Sequence, residues 1–474
     1  MLPRYRQIAA ELRKTIESGA LRPGGRLISA RRLAEREQVS LPTAVEALRC
    51  LESDGLVVAR PRSGYFVQSG MTKAMQPARP SKRPVPVTMS ALARSLFSSP
   101  EERLVPLGAA LPDPDWLPTA DLQRTLQSAS RRLEAHGQTY SIPPGRGDLR
   151  RQIAMRAAGW NGRFGPGDLV VTAGATQAVR LALRAICKPG DVVAIEQPAY
   201  FGTLLLLESL GLKAREVKTS PSAGLMLDDL AEAIDQHQPA AVLCSPTVQN
   251  PLGACMSIAD KKALVALLDK TGTPLIEDDV YGDLAGEDTR PPACKAFDET
   301  GNVLYCSSIS KTLAPGWRIG WIAPGRFYDR VLQNRLAEDW AGNPLLEATT
   351  SDFLASGDYD RHLRRLKLKI LGSIRAIMAR ITETFPPETR LSHPAAGFLL
   401  WLKLPRQVNA LDLYSRARIC GIGVSPGQIF SSQSDLSNYL RLNCANDPTP
   451  RLLRAVAKLG AICTDLAAEG GKSV

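Results

Sequence analysis

A lysine set among hydroxyls is the strongest chemical signal in this chain. In Ser307-Ser-Ile-Ser-Lys-Thr-Leu-Ala-Pro-Gly-Trp-Arg-Ile-Gly320, Lys311 follows the apolar run Val303-Leu-Tyr305 and precedes a Pro-Gly turn. That pattern reads as an amine held at the end of a buried strand, where it can attack a carbonyl carbon. Other reactive residues recur at similar junctions. Leu169-Val-Val-Thr172 passes through Ala173-Gly174-Ala175-Thr176-Gln177 into a helical stretch, so free backbone N–H groups and the Thr176 hydroxyl can face an anion. Ala240–Cys244 runs into a polar turn containing Asn250 before a proline. Pro274-Leu-Ile-Glu277 ends in Glu277-Asp278-Asp279-Val280-Tyr281, and three adjacent carboxylates at the end of a buried strand are costly unless each meets a cation or a donor. Ser308 and Arg318 flank the lysine.

One ligand answers this set: a heterocycle with a ring nitrogen, a phenolic oxygen, an aldehyde and a phosphate. Lys311 would form a Schiff base with the aldehyde, and a carboxylate would keep the ring nitrogen protonated. Asn250 and Tyr281 would hold the phenolic oxygen, and Thr176, Ser308 and Arg318 the phosphate. The expected cofactor is therefore pyridoxal 5'-phosphate. No metal is expected, because the nine cysteines and four histidines show no ligand spacing. His136, His237, His362 and His393 are read as structural, and the basic run Arg361–Lys369 as one solvated face of a helix.

The elements that must position these groups follow from periodicity. Short β-branched runs at 169–172, 192–195, 240–244, 274–277, 303–306 and 319–322 alternate with helical segments. This is the signature of an α/β fold, a mostly parallel sheet covered by helices, with functional residues at strand C-terminal ends. A smaller α+β unit follows, with strands near Phe398–Leu402 and Tyr439–Asn443, and the whole of 104–474 is read as one ligand-binding domain.

The first hundred residues differ in charge. Of the formal +12, residues 1–103 carry 18 Lys+Arg against 9 Asp+Glu, leaving only +3 for the rest, so an electrostatic footprint for nucleic acid is expected at the N-terminus. Over 1–68, a helix from Tyr5 to Ser18 is followed by one capped by Ser29 and a third capped by Ser40, running from Pro42 to about Ser53. A hairpin then pairs Leu56–Ala59 with Tyr65–Val67, with Arg60 and Arg62 at its tip. This order is that of a winged helix-turn-helix, whose second helix of the pair enters the major groove. Residues 69–103, rich in proline and in Lys and Arg, are expected to form a flexible, hydrated tether. No apolar run approaches the ~20 residues needed to span a bilayer, and scattered cysteines suit reduced thiols, so a soluble, untargeted, cytoplasmic protein is expected.

Residues 5–68 resemble the DNA-binding domain of GntR-type bacterial regulators through Leu27-Ile-Ser-Ala-Arg-Arg-Leu-Ala34, Val39-Ser-Leu-Pro-Thr-Ala-Val45 and Ser63-Gly-Tyr-Phe-Val67. Two positions depart from that pattern: Leu41 stands where the family often has arginine, and Ile28 replaces a proline. The resemblance implies DNA contacts from Arg31, Ser40, Thr43, Arg62 and Gly64. Residues 104–474 resemble fold-type I aminotransferases, whose ordered motifs are met at 174–176, 198–200, 250–253, 278–281, 308–311 and 441. That likeness implies a cofactor site of Gly174, Ala175, Thr176, Tyr200 stacked on the ring, Asn250, Asp278 as partner of the ring nitrogen with Asp279 as the fallback, Tyr281, Ser308, Lys311 and Arg318. It further implies that Arg441 grips a substrate or effector carboxylate and that Tyr140 reaches the phosphate of a neighbouring subunit, hence a homodimer.

The combination resembles the MocR-type subfamily of GntR regulators over essentially the whole chain. It implies a transcriptional regulator that binds double-stranded DNA, holds pyridoxal 5'-phosphate on Lys311 and senses an amine, an amino acid or the cofactor itself. A catalytically active aminotransferase with an appended DNA-binding domain is the alternative. A metabolic enzyme whose N-terminal module binds only protein is a third.

Overall fold

Period-3.6 and period-2 segments fold into two units, residues 1–74 and 75–474, each with its own apolar core. The computed structural model describes residues 3–17, 21, 25–53, 56–60, 64–67, 75, 77, 80, 82–89, 91–92, 96, 104–286, 289–432 and 436–471.

In the first unit, helices Arg4–Glu17, Ala30–Glu37 and Leu41–Ser53 precede strands β1 (Val57–Arg60) and β2 (Gly64–Val67), which pair antiparallel with Arg60 opposite Gly64. The second helix starts where Ser29 Oγ accepts from Arg32 N at 3.4 Å and stops at Gln38, whose left-handed backbone ends it. Ile8, Leu12, Ile16, Leu33, Ala44, Leu48, Leu51, Val57 and Val67 converge as the core. Arg31 and Ser40 are exposed, Thr43 is half-buried, and Gly64 opens β2 at φ +95°, a conformation that favours glycine. Arg62 lies outside the described residues.

The second unit is built on a sheet in the order β3 (Val85–Pro86), β7 (Lys213–Ser220), β6 (Val192–Gln197), β9 (Ala241–Cys244), β10 (Leu275–Asp278), β11 (Val303–Ser308), β12 (Gly320–Ala323), β5 (Val170–Thr172), with β8 (Gly224–Leu225) paired to β7. The central pairs β7/β6/β9/β10/β11 are parallel, while β12 runs antiparallel to both its neighbours. Leu243, Ile276, Leu304 and Cys306 are buried, as strands covered on both faces require. A second sheet of β13 (Arg390–Leu391), β14 (Leu399–Lys403), β17 (Tyr439–Asn443) and β16 (Ser425–Pro426) packs with helix Pro450–Gly470 around its own core. β4 (Val105–Pro106) pairs with β15 (Ile422–Gly423). His362 is buried with Nε2 2.6 Å from the Thr312 carbonyl, and Arg364, Arg365 and Lys369 lie exposed along helix Asp358–Thr384. Among the described residues no helix is long and apolar enough to cross a membrane.

The stretch expected to be a hydrated tether differs from that reading. Its described residues Met75, Val87, Met89 and Leu96 are buried in the large unit's core, and β3 pairs antiparallel with β7. Lys82 Nζ meets Glu232 at 2.6 Å, and Met89 N donates to Glu208 Oε2 at 2.8 Å. Isolated apolar side chains spaced among prolines show no periodicity, yet each can fill a slot, and an extended proline-bearing segment suits the edge of a sheet.

All six tryptophans lie between Trp116 and Trp401, so tryptophan fluorescence reports the larger unit alone whereas far-UV circular dichroism reports both. Leu48→Ala, a fully buried position of the smaller core, should cost that unit about 2–5 kcal/mol. In urea titrations the circular dichroism signal of this variant should show an earlier transition while the fluorescence midpoint stays put. A shifted fluorescence midpoint would mean that the two units unfold as one.

Candidate functional site

The C-terminal ends of β6, β9, β10 and β11 bring most of the expected groups into one cleft. Lys311 follows β11 directly, and its Nζ donates to the Ala110 carbonyl at 2.8 Å and stands 5.9 Å from the centre of the Tyr281 ring. Removal from water pushes this amine down from 10.5 to about 8; Arg441 and Arg318 press the same way and Asp278 opposes them. A substantial fraction is therefore neutral, and nucleophilic, near physiological pH.

The carboxylate triplet after β10 is resolved residue by residue. Glu277 is buried and accepts from the backbone N–H groups of Cys294 at 2.7 Å and Lys295 at 2.9 Å. Asp279 is held by the Arg290 guanidinium and by Tyr305 OH at 2.8 Å, so it belongs to the packing beneath the sheet edge. Asp278 lines the cleft with Tyr200, Glu196 and Ser245. Its Oδ1 is buried with no hydrogen-bond partner among the described residues. Burial, reinforced by Asp279, raises its acid from 3.8 to about 6, with the Val280 N–H and Lys311 pulling the other way. Asp279 Oδ1 is likewise buried without a partner among the described residues, but Asp278, not Asp279, lines this cleft.

Around it, Asn250 Nδ2 donates to Tyr281 OH at 3.5 Å, while Asn250 Oδ1 accepts from Arg441 at 3.2 Å. Arg441, in β17, is 1% exposed, donates to the Gly108 carbonyl at 2.5 Å and to Ser425 Oγ at 3.1 Å, and lies 5.0 Å over the Phe430 ring. Its guanidinium is therefore aimed into the same cleft from the smaller sheet. Tyr200 caps helix Phe201–Ser209 and has its phenol pKa raised by burial, against the pull of Arg441.

The turn expected to face a phosphate lies at the β5–helix junction. Gly174, at φ +81°, begins helix Ala175–Ile186 without a side-chain cap, so the first N–H groups are left to a ligand or solvent. A Cβ on Gly174 would displace the Arg318 guanidinium, and one on Gly320 would be driven into the Gly174 backbone. Among the described residues, Arg318 itself makes only long hydrogen bonds, to Ser310 Oγ and Pro315 O at 3.4 Å and Ala173 O at 3.3 Å. Ala175 and Ser308 are buried and Thr176 is exposed. Tyr140 stands outside this set, 74% exposed, on a loop fixed by Ser141 Oγ to Glu347 at 2.7 Å and by Gly342 N to Ser141 O at 2.8 Å.

Three contributors escaped sequence reading. The carbonyls of Gly108 and Ala110 hold Arg441 and Lys311, and a backbone oxygen leaves no trace in residue type. Glu196 is buried at the end of β6, accepts from Ser245 N at 3.1 Å and is pushed up to about 8 by burial. A carboxylate closing the apolar run Val192–Ile195, just before Pro198-Ala-Tyr200, was the available signal.

Because the folded chain keeps the Asp278 proton to a higher pH than the unfolded chain, stability falls as pH rises from 3.8 to about 6, and the deficit persists above. At neutral pH, ligand-free Asp278→Asn should exceed wild type by about 2–3 kcal/mol, a gap that closes below the ordinary carboxylate range. Urea unfolding at both pH values measures it; an asparagine variant less stable than wild type at neutral pH contradicts this reading.

Residues 107–459 match Aminotransferase class I and II, and residues 4–67 match Bacterial regulatory proteins, gntR family. The HTH-type transcriptional regulators YjiR and YdcR of Escherichia coli K12 are each 35% identical, YjiR over 97% of this chain and 98% of its own length, YdcR over 97% and 99%. Among solved structures, the α-aminoadipate aminotransferase LysN of Thermus thermophilus, complexed with N-(5'-phosphopyridoxyl)-L-leucine, superposes with a TM-score of 0.73 at 24% identity, over 81% of this chain and 96% of that one. The chain belongs to the GntR-type transcriptional regulators that carry an aminotransferase class I and II domain, the MocR-type architecture.

Proposed function

We propose that this chain is a DNA-binding transcriptional regulator whose large domain holds pyridoxal 5'-phosphate and senses an amine, an amino acid or the cofactor itself. The single observation that carries the reading is a half-buried amine, depressed to about 8, that is electrostatically linked to Asp278, whose buried Oδ1 has no partner among the described residues. The residues fit that cofactor. Asp278 offers its free oxygen to a protonated ring nitrogen, Asn250 and Tyr281 to a phenolic oxygen, and Tyr200 a face for the ring. The uncapped helix start at Gly174-Ala175-Thr176, with Ser308 and Arg318, offers donors to a phosphate. Bound there, pyridoxal 5'-phosphate supplies an aldehyde that condenses reversibly with primary amines.

The chain's own groups do the rest. Lys311, partly neutral at physiological pH, presents its lone pair where a carbonyl would lie and can take or return a proton at Nζ. Arg441 orients an incoming carboxylate by bidentate hydrogen bonding. Its pairing with Asn250 ties that grip to the ring's polar edge. Residues 1–68 would read DNA in the bacterial cytoplasm, 69–103 would join them to the sensor, and 104–474 would form a homodimer in which exposed Tyr140 serves the neighbouring site. Occupancy alters DNA affinity only if the ligand binds two conformations unequally. A second reading, a working aminotransferase, is favoured by the survival of Lys311, Asp278, Asn250, Tyr281 and Arg441 together. Sustained turnover of an amino acid with a keto-acid acceptor distinguishes it from sensing.

Two outcomes are expected. Borohydride treatment of cofactor-loaded protein should fix pyridoxyl on the Lys311 peptide, read by mass spectrometry, with no label in Lys311→Ala; the rate of uptake should rise with pH toward about 8 and then level, as the amine loses its proton. Wild type left unlabelled sinks the cofactor claim. For DNA, Arg31→Ala should weaken binding to a selected duplex by about 1–3 kcal/mol and relax the base preference at one position; unchanged affinity and preference remove Arg31 from the base-edge contacts.

A further inference from the structure

The third helix of the N-terminal unit, Leu41–Ser53, sorts its side chains sharply. Ala44, Ala47, Leu48 and Leu51 are all 0% exposed and pack into the core. Pro42, Glu46 and Arg49 face outward, and Leu41, in the first turn, is 43% exposed. The polar groups nearby are engaged with one another. Ser40 Oγ accepts from Thr43 N at 3.3 Å and shares a 2.8 Å hydrogen bond with Thr43 Oγ1, while the Glu46 carboxylate and Arg49 guanidinium stand 3.8 Å apart. What the tip of this helix presents outward is therefore chiefly apolar.

An exposed leucine by itself is ordinary. This one occupies the first turn of the helix that, in a helix-turn-helix, inserts its N-terminal residues against base edges in the major groove. Every base edge there carries hydrogen-bond donors or acceptors, and only thymine adds an apolar group, its C5-methyl. Against guanine or adenine a leucine would strip water from acceptors without replacing the lost hydrogen bonds. Against thymine it removes one methyl and part of its own surface from water. We propose that Leu41 is a specificity-determining residue that reads a thymine methyl and selects a T·A pair at one position of the bound site. The assignment rests on the DNA-binding reading above and deepens it.

The probe is a random-sequence duplex pool enriched on the full-length protein, from which one selected duplex is resynthesised with deoxyuridine replacing each thymine in turn. Uracil keeps every hydrogen bond of thymine and lacks only the methyl. Wild type should lose about three- to fivefold in affinity at one thymine position. Leu41→Ala should bind the thymine and deoxyuridine duplexes equally there, and Leu41→Arg should shift the selected base at that position toward guanine. Far-UV circular dichroism checks that each variant is folded, and the deoxyuridine series on wild type needs no variant. Equal wild-type affinity for thymine and deoxyuridine at every position overturns the assignment while leaving DNA binding intact. The same loss in Leu41→Ala as in wild type also overturns it. A pool that enriches no sequence overturns the assignment together with the DNA reading.

Discussion

Several charges have been taken out of water at one edge of the large sheet, and the surrounding structure is arranged to answer them. Lys311 and Arg441 bring cationic groups here, and Asp278 and Glu196 bring carboxyls, Arg441 and Glu196 buried and Lys311 and Asp278 half-buried. Isolated burial of any of them would be prohibitive. Lys311 rests on the Ala110 carbonyl, Arg441 on Gly108, Ser425 and Asn250, and Glu196 on the Ser245 N–H. The segment 108–110, far from Lys311 in sequence, is fixed by the cations it serves.

The division of labour between Asp278 and Asp279 shows how finely this constraint acts. Successive residues leaving a strand point to opposite sides. One carboxylate turns down to Arg290 and Tyr305, where its Oδ2 joins the packing with Asp283, Tyr359 and Trp160; the other turns up into the cleft with no cation on it, and each keeps its Oδ1 without a partner among the described residues. The lower one is paired with a cation. The upper one is left at a cost that a bound cation-bearing ring would offset, a trade of stability for function common at binding sites.

Much of this was legible in the residues themselves. The β-branched runs located β5, β6, β9, β10, β11 and β12 to within a few residues, because strands covered on both faces are apolar on both, the parallel β6, β9, β10 and β11 above all. Strand β7 escaped, since Lys-Ala-Arg-Glu-Val-Lys-Thr-Ser does not look buried. Its Arg215 and Glu216 are nonetheless 0% and 1% exposed, compensated by Asp229 and by the hydroxyls of Ser431 and Ser432, partners distant in sequence. Asp278 is expected with Asp279 as the fallback, because a doublet does not say which of the two Arg290 approaches. Nor could the anchoring of Val87 and Met89 be read from a stretch whose composition suggests hydration.

The account's central claim is that chemistry at Lys311 is read out at DNA by the N-terminal unit. Its most direct test is the affinity of the full-length, cofactor-loaded protein for a selected duplex, titrated by fluorescence anisotropy with and without a panel of primary amines and amino acids. A member of the panel should change the affinity by about 5- to 150-fold, the usual range of coupling between linked sites, and should change nothing in Lys311→Ala. An affinity that is the same with every amine, or that responds equally without the lysine, contradicts it.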